Sequence, residues 1–115
     1  NIREAFEKFL SEGSPAYVCG FHILPKEAIE LIKYCGGVAV LAHPYTIKNI
    51  DLIYSLIEDG LEGIEVFYPE HSQEHIEFYF SLVKKYGLIV TGGSDFHGDN
   101  NIKIGSVRIP YIFVE

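Results

Sequence analysis

The stretch LIVTGGSDFHG, from Leu88 to Gly98, joins a short apolar run to a loop of glycine and polar residues. The apolar run is typical of a buried strand in a parallel sheet. The loop has two interpretations. It is either a polar turn capped by Asp95, or a metal-binding loop. In an extended loop, residues two apart face the same side, so that Asp95 and His97 could reach a common ion or two neighbouring ions.

The same order, a helix followed by a short apolar run, occurs three times along the chain. Helical spacing of apolar residues, with a proline or polar residue at the start and glycine at the end, indicates each helix. The predicted helices begin at Pro25, about Asn49 and Ser72 and end at the Gly36–Gly37 pair, Gly60 and Gly87; the predicted strands are Val38–Ala42, Gly63–Phe67 and Leu88–Gly92. Another helix is predicted over residues 2–10, and residues 104–115 are predicted to be extended. This alternation predicts an α/β fold of parallel strands with crossover helices.

The composition is that of a globular domain and limits the function classes. The chain has 115 residues, enough for one domain, and a formal net charge of −7. This acidity argues against a broad nucleic-acid surface or binding to an anionic membrane, although bound metal ions could reverse the sign of charge locally. No apolar run is long enough to span a membrane. Cys19 and Cys35 lack metal-type spacing and indicate reduced structural thiols in a cytoplasmic protein.

Polar residues follow the predicted strands, and the carboxyl ends of parallel strands form the functional edge of such sheets. His43 ends the first strand, and Pro44 after it predicts an extended His43. His43 and the Asp95-x-His97 pair are therefore expected at one edge. Imidazole and carboxylate ligands together suit zinc, manganese or iron. A bound metal would lower the pKa of a water molecule and neutralise phosphate charge.

Two more polar residues lie near this edge. His71 follows the middle strand; it could be a fourth metal ligand, a phosphate-binding imidazolium, or a solvated loop residue. Glu65 alternates with Ile64 and Val66 and so points to the opposite side of the sheet. A carboxylate there is costly unless it is paired, and we expect Glu65 to hold a ligand histidine in place.

Three segments, GGVAVLAHP, GLEGIEVFYPEHS and YGLIVTGGSDFHG, resemble the carboxyl-terminal half of PHP-superfamily metal-dependent phosphoesterases. The resemblance extends over nearly all of the chain, residues 1–115, and is greatest to stand-alone bacterial enzymes acting on nucleotides and short oligonucleotides. It implies a distorted (βα)7 barrel with the site at the carboxyl ends of the strands. It also implies that His43, Asp95 and His97 are ligands of a cluster of two or three divalent ions, and that His71 lies near the substrate phosphate.

The resemblance further implies that an amino-terminal H-x-H motif and other ligands are missing from this sequence. We therefore expect this segment alone to bind metal weakly and to have little activity. We also expect a part-barrel to expose apolar edges that favour self-association. The substrate expected for the full protein is a nucleotide or short oligonucleotide phosphate ester. Two alternatives stay open: a binding or regulatory module with a degenerate metal site, and a barrel metallohydrolase that cleaves amides.

Overall fold

The computed structural model describes residues 2–18, 20, 22–98 and 102–114. It contains a parallel three-stranded sheet with helices between the strands. The helices are α1 (Ile2–Ala5, continued by a π-helical turn, Phe6–Leu10), α2 (Pro25–Tyr34), α3 (Ile50–Glu58) and α4 (Gln73–Tyr86); the strands are β1 (Val40–Leu41), β2 (Gly63–Phe67) and β3 (Ile89–Gly92). The α/β class and the helix–strand order predicted from the sequence are confirmed. None of the described helices is long and apolar enough to cross a membrane.

The helix ends are specified locally by the residue types expected from the sequence. Asn49 caps α3, since its side-chain oxygen accepts a hydrogen bond from the Asp51 N–H at 3.0 Å. Ser72 caps α4 by accepting from the His75 N–H at 3.2 Å. Gly87 ends α4 with φ +67°, a left-handed conformation that glycine adopts without a Cβ clash. Asn49 and Ser72 thus mark where α3 and α4 begin, and Gly87 turns the chain out of α4 shortly before β3 begins at Ile89.

The strands lie in the order β1-β2-β3, and both pairs are parallel. Leu41, Ile64 and Val90 are paired across the sheet and lie on the face that α3 and α4 cover. On the other face Val40 and Ile89 remain 37% and 48% exposed. Within the described residues the sheet is open and not closed on itself, which fits part of an α/β barrel.

The hydrophobic core lies between the sheet and the helices. Ile64 and Val66 of β2 are fully buried, and Leu82 of α4 is 2% exposed. A second cluster joins α2, through Ile29, to Leu56 of α3. The central strand β2 thus contributes fully buried residues to the larger cluster. The members of the larger cluster are Ile53, Ile64, Val66, Tyr79, Leu82, Leu88 and Val90.

Three predictions about the strands and the cysteines need correction. The first strand was predicted over Val38–Ala42, but only Val40–Leu41 pairs with β2. The Ala39 carbonyl accepts hydrogen bonds from the N–H groups of Glu62 and Gly63, where β2 begins. The chain leaves the sheet after residue 42 because the His43 N–H donates to the Glu65 side chain and not to a neighbouring strand. The described part of 104–115 forms no strand and contains a 3₁₀ turn at Tyr111–Phe113. Cys35 is a free thiol, as predicted, but it is exposed and not part of the core, and Cys19 lies outside the described residues.

Candidate metal centre

His43 lies at the carboxyl end of β1 in a left-handed conformation, with φ 43° and ψ 51°. The extended conformation predicted for it is therefore wrong. Proline disfavours the right-handed α region for the residue before it but leaves other regions open. The His43 carbonyl accepts hydrogen bonds from the N–H and the hydroxyl of Thr46, at 3.1 and 2.9 Å. This turn points the imidazole back across the end of the sheet.

Glu65 supports His43 through its backbone. Its Oε2 accepts a hydrogen bond from the His43 N–H at 2.8 Å. The alternation in β2 is as expected, with Ile64 and Val66 buried and Glu65 half-buried between them. The contact that we expected with a ligand histidine is therefore made to that residue's main chain and not to its ring. This hydrogen bond fixes the position at which the chain leaves β1, at His43.

Asp95 lies after β3 and meets the other two predicted ligands. Its Oδ2 is 3.6 Å from His43 Nε2, and its Oδ1 is 3.5 Å from His97 Nδ1. Asp95 has φ 51°, so the D-x-H segment is not extended as predicted. His97 Nδ1 also lies 2.6 Å from the Asp95 carbonyl oxygen, and this contact identifies Nδ1–H as a donor, which in the neutral ring leaves Nε2 with a lone pair. The backbone turn, and not strand alternation, brings Asp95 and His97 together.

His71 sits beside these residues, in the loop between β2 and α4. Its Nδ1–H donates to the Val66 carbonyl at 2.8 Å, while its Nε2 is buried and has no hydrogen-bond partner. Ligand histidines often donate one ring N–H to a backbone carbonyl in this way, which leaves the other nitrogen available. In the neutral ring Nε2 could ligate an ion; in the imidazolium it could donate to a phosphate oxygen. The two roles predicted from the sequence, metal ligand and phosphate-binding residue, therefore both stay open for His71.

Sequence reasoning missed the tyrosines of this edge. The Tyr68 hydroxyl donates to Asp95 Oδ2 at 3.1 Å, and the Tyr45 hydroxyl donates to the Glu70 carboxylate. The two tyrosine rings stack at 5.4 Å with an interplanar angle of 28°. Burial and the Asp95 contact raise the pKa of Tyr68 above its ordinary value, so its hydroxyl stays a donor. A signal for Tyr68 was present in the sequence, because this residue directly follows β2 and so lies at the strand ends where the other candidates were predicted.

His75, in the first turn of α4, has a structural role. Its Nδ1 lies 3.3 Å from the Ser72 N–H that donates to it, which completes the cap of α4. Its ring stacks on Tyr79 at 6.1 Å and is half-buried. His75 therefore anchors the loop that carries His71.

The donor set fits a divalent cation in chemistry, but within the described ranges it is only part of a coordination shell. Two imidazoles flank one carboxylate, and a third imidazole has an unpartnered buried nitrogen. No group of three or more histidine, cysteine, aspartate or glutamate side chains among the described residues is placed to hold an ion by itself. His43, Asp95 and His97 could contribute ligands to a divalent ion, but among the described residues they do not form a complete site.

Comparison with curated proteins finds phosphoesterases. The chain is 40% identical over 87 residues to a phosphoribosyl 1,2-cyclic phosphate 1,2-diphosphodiesterase of Eggerthella lenta, a match covering 76% of the chain and 31% of the relative. It is 36% identical over 103 residues to a 3',5'-nucleoside bisphosphate phosphatase of Chromobacterium violaceum, a match covering 84% of the chain and 36% of the relative. It is 29% identical over 102 residues to a 5'-3' exoribonuclease of Escherichia coli, a match covering 84% of the chain and 35% of the relative. The chain thus spans about a third of the length of the curated relatives it matches.

Solved structures share the fold. A protein described as a metal-dependent phosphoesterase from Bifidobacterium adolescentis superposes with a TM-score of 0.74 at 29% identity, over 97% of this chain and 42% of that one. An amidohydrolase from Chromobacterium violaceum with bound sulfate superposes with a TM-score of 0.70 at 30% identity, over 95% of this chain and 40% of that one. No protein-family model matches the chain. The likeness to phosphoesterases in both sequence and fold confirms the resemblance to PHP-superfamily metal-dependent phosphoesterases that the sequence predicted.

Proposed function

We propose that the protein is a metal-dependent phosphoesterase that hydrolyses phosphate esters of nucleotides or short oligonucleotides. The observation that carries the proposal is the carboxylate of Asp95 lying within 3.6 Å of the imidazoles of both His43 and His97. This combination of ligands suits manganese, zinc or iron. The similar curated proteins act on small phosphorylated molecules or on RNA, which supports the substrate class. Within the protein, residues 1–115 would form the carboxyl-terminal portion of the domain.

Each residue would contribute in a different way. His43, Asp95 and His97 would bind the divalent ions, two or three of them in the complete domain. When bound, the metal supplies a low-pKa water nucleophile and neutralises charge on the phosphate. Glu65 holds the His43 backbone and so fixes where that imidazole points. His71, whose buried Nε2 has no hydrogen-bond partner and whose ring lies 5.4 Å from the Tyr68 ring, would contact the substrate phosphate.

The composition supports two further parts of the proposal, the location of the protein and its partners. We keep the cytoplasmic location indicated by the two cysteines as a prediction. The net charge of −7 makes a small phosphorylated substrate a better partner than a long nucleic acid, because long-range repulsion grows with the number of phosphates. Metal ions at the site would offset this charge where a single substrate phosphate binds.

Asp95→Asn in the full-length protein tests the proposal, because it keeps the shape of the side chain and removes its charge. We expect manganese- or zinc-stimulated hydrolysis of nucleotide phosphate esters to fall on the order of 100-fold or more, since a bound metal supplies several kcal/mol of transition-state stabilisation. The matched control is Asp59→Asn, the same change at the end of α3 away from the strand ends, which should leave turnover unchanged.

A substrate panel separates the proposal from its alternatives. Bis(p-nitrophenyl) phosphate, nucleoside monophosphates, nucleoside bisphosphates and short oligonucleotides are compared with anilide and amide substrates in the same metal-loaded protein. Faster turnover of amides would replace the phosphoesterase by an amide hydrolase, an activity that the likeness to an amidohydrolase makes worth testing. Wild-type turnover that is equal with and without added metal would contradict the metal-dependent mechanism. A complete lack of turnover would favour a binding module.

A further inference from the structure

Asp95 lies on a loop, and the rotation of its carboxylate decides which oxygen meets which imidazole. In the structure Oδ2 faces His43 Nε2 at 3.6 Å and Oδ1 faces His97 Nδ1 at 3.5 Å. The side chain is 31% exposed, so packing alone does not fix it. A carboxylate can rotate about its terminal torsion in a broad energy well. Something in the surroundings must therefore select this orientation.

Tyr68 makes the hydrogen bond that does so. Its hydroxyl donates to Asp95 Oδ2 at 3.1 Å and makes no corresponding contact with Oδ1. Tyr68 follows the central strand β2 directly, whereas Asp95 lies three residues beyond β3. The better-anchored of the two partners is thus the tyrosine. A hydrogen bond to a charged acceptor is also stronger than one between neutral groups.

The Tyr68 ring is itself held from three sides. It lies 5.2 Å from the His43 ring, 5.4 Å from the stacked Tyr45 ring and 5.4 Å from the His71 ring. Tyr45 is held in turn by its hydrogen bond to Glu70. A hydroxyl carried on a ring packed in this way has a narrow range of positions. It can act as a rigid support for a neighbouring carboxylate.

We propose that Tyr68 is a positioning residue that fixes the rotation of the Asp95 carboxylate, so that one oxygen serves the His43 side and the other the His97 side of the metal centre. The inference rests on the proposed function in one respect, that Asp95 is a metal ligand. It adds a residue that acts through Asp95 and touches neither metal nor substrate. Such outer partners of metal ligands commonly contribute about 10- to 100-fold to metal affinity.

Tyr68→Phe in the full-length protein removes the hydroxyl and keeps the ring with its packing. The control is Tyr54→Phe, the same change at a half-buried tyrosine of α3 that packs on Tyr86 instead. Metal-free proteins are titrated with Mn²⁺ and Co²⁺ by calorimetry, and the visible absorption of the Co²⁺ forms is recorded. We expect Tyr68→Phe to weaken binding about 10-fold or more and to change the Co²⁺ spectrum, because the freed carboxylate can alter its coordination mode. Tyr54→Phe should match the wild type in both.

The outcomes separate this inference from the proposed function. Equal Mn²⁺ affinity and an unchanged Co²⁺ spectrum in Tyr68→Phe would overturn the positioning role. A lower melting temperature of the metal-free variant with an unchanged spectrum would also overturn it, since Tyr68 would then only stabilise the fold. If the wild type binds metal but hydrolyses no phosphate ester, the proposed function fails and the affinity comparison still decides the role of Tyr68. If the wild type binds no metal, both fail.

Discussion

The core beneath the sheet and the carboxyl edge of the same sheet are held together by different forces. In the core Ile64 and Val66 are fully buried, and they pack with Leu82 of α4. At the edge His43 and Asp95 have side chains that are 43% and 31% exposed. Apolar burial, at about 25 cal/mol per Å², stabilises the first region. Directed hydrogen bonds position the second.

The comparison shows how one strand serves both purposes. Strand β2 alternates between Ile64 and Val66, which face the helices, and Glu65, which supports His43. His43 and Asp95 are also the non-glycine residues with positive φ in the described part of the chain. A left-handed conformation costs about 1–2 kcal/mol for such a residue. The edge therefore carries strain that the core offsets, an arrangement often found at functional sites.

The largest expected effect comes from a substitution in the core. Leu82→Ala should lower the free energy of unfolding by about 2–5 kcal/mol, because it leaves a cavity against the central strand. Leu31→Ala makes the same change at a residue that is 54% exposed, and should cost far less. Urea denaturation measures both. Equal losses for the two variants would mean that the apolar cluster around β2 is not the stabilising core.

A smaller effect tests the contact between the two regions. Glu65→Ala removes the acceptor of the His43 N–H, and an unsatisfied buried donor costs about 1–3 kcal/mol. We expect this loss of stability together with weaker Mn²⁺ binding in the full-length protein, measured by denaturation and calorimetry. Glu65→Gln keeps a side-chain carbonyl in place and should give an intermediate result. If Glu65→Ala left metal affinity unchanged, the contact would serve stability alone.

The smallest expected effect concerns the strain at the edge. His43→Gly should be more stable than His43→Ala by about 1 kcal/mol, because glycine has no Cβ to clash in the left-handed conformation. Both variants lack the imidazole and should lose metal binding alike. Thermal unfolding of the metal-free proteins gives the difference. A more stable alanine variant would show that His43 is not left-handed in solution.

Much of the fold could be read from local patterns. Apolar spacing and caps placed α2, α3 and α4 close to their observed bounds, and the central strand was predicted residue for residue. Local signals sufficed there because helix caps and strand alternation depend on neighbouring residues. The first strand was predicted too long, since its length depends on where its partner strand begins and on the side chain of Glu65, 22 residues away.

The site was predicted in part. His43, Glu65, His71, Asp95 and His97 were identified from residue type and position, and the structure brings them to one edge, although it does not test their roles. The conformations of His43 and Asp95 were predicted incorrectly. The rule that alternate residues share a side holds only for extended backbone, and both positions have positive φ. Tyr45 and Tyr68 were missed because aromatic residues near a strand are expected to pack in the core.

The sequence by itself determined the helix–strand order, the parallel sheet and the identity of the histidine and aspartate candidates, because these depend on local patterns of side chains. Only the tertiary structure decided how the candidates meet. A backbone turn of unusual φ aims His43, a carboxylate from the next strand holds it, and a tyrosine after that strand orients Asp95. These contacts join residues 22 and 27 positions apart, and no local pattern specifies such a distance. Their geometry exists only once the strands are side by side.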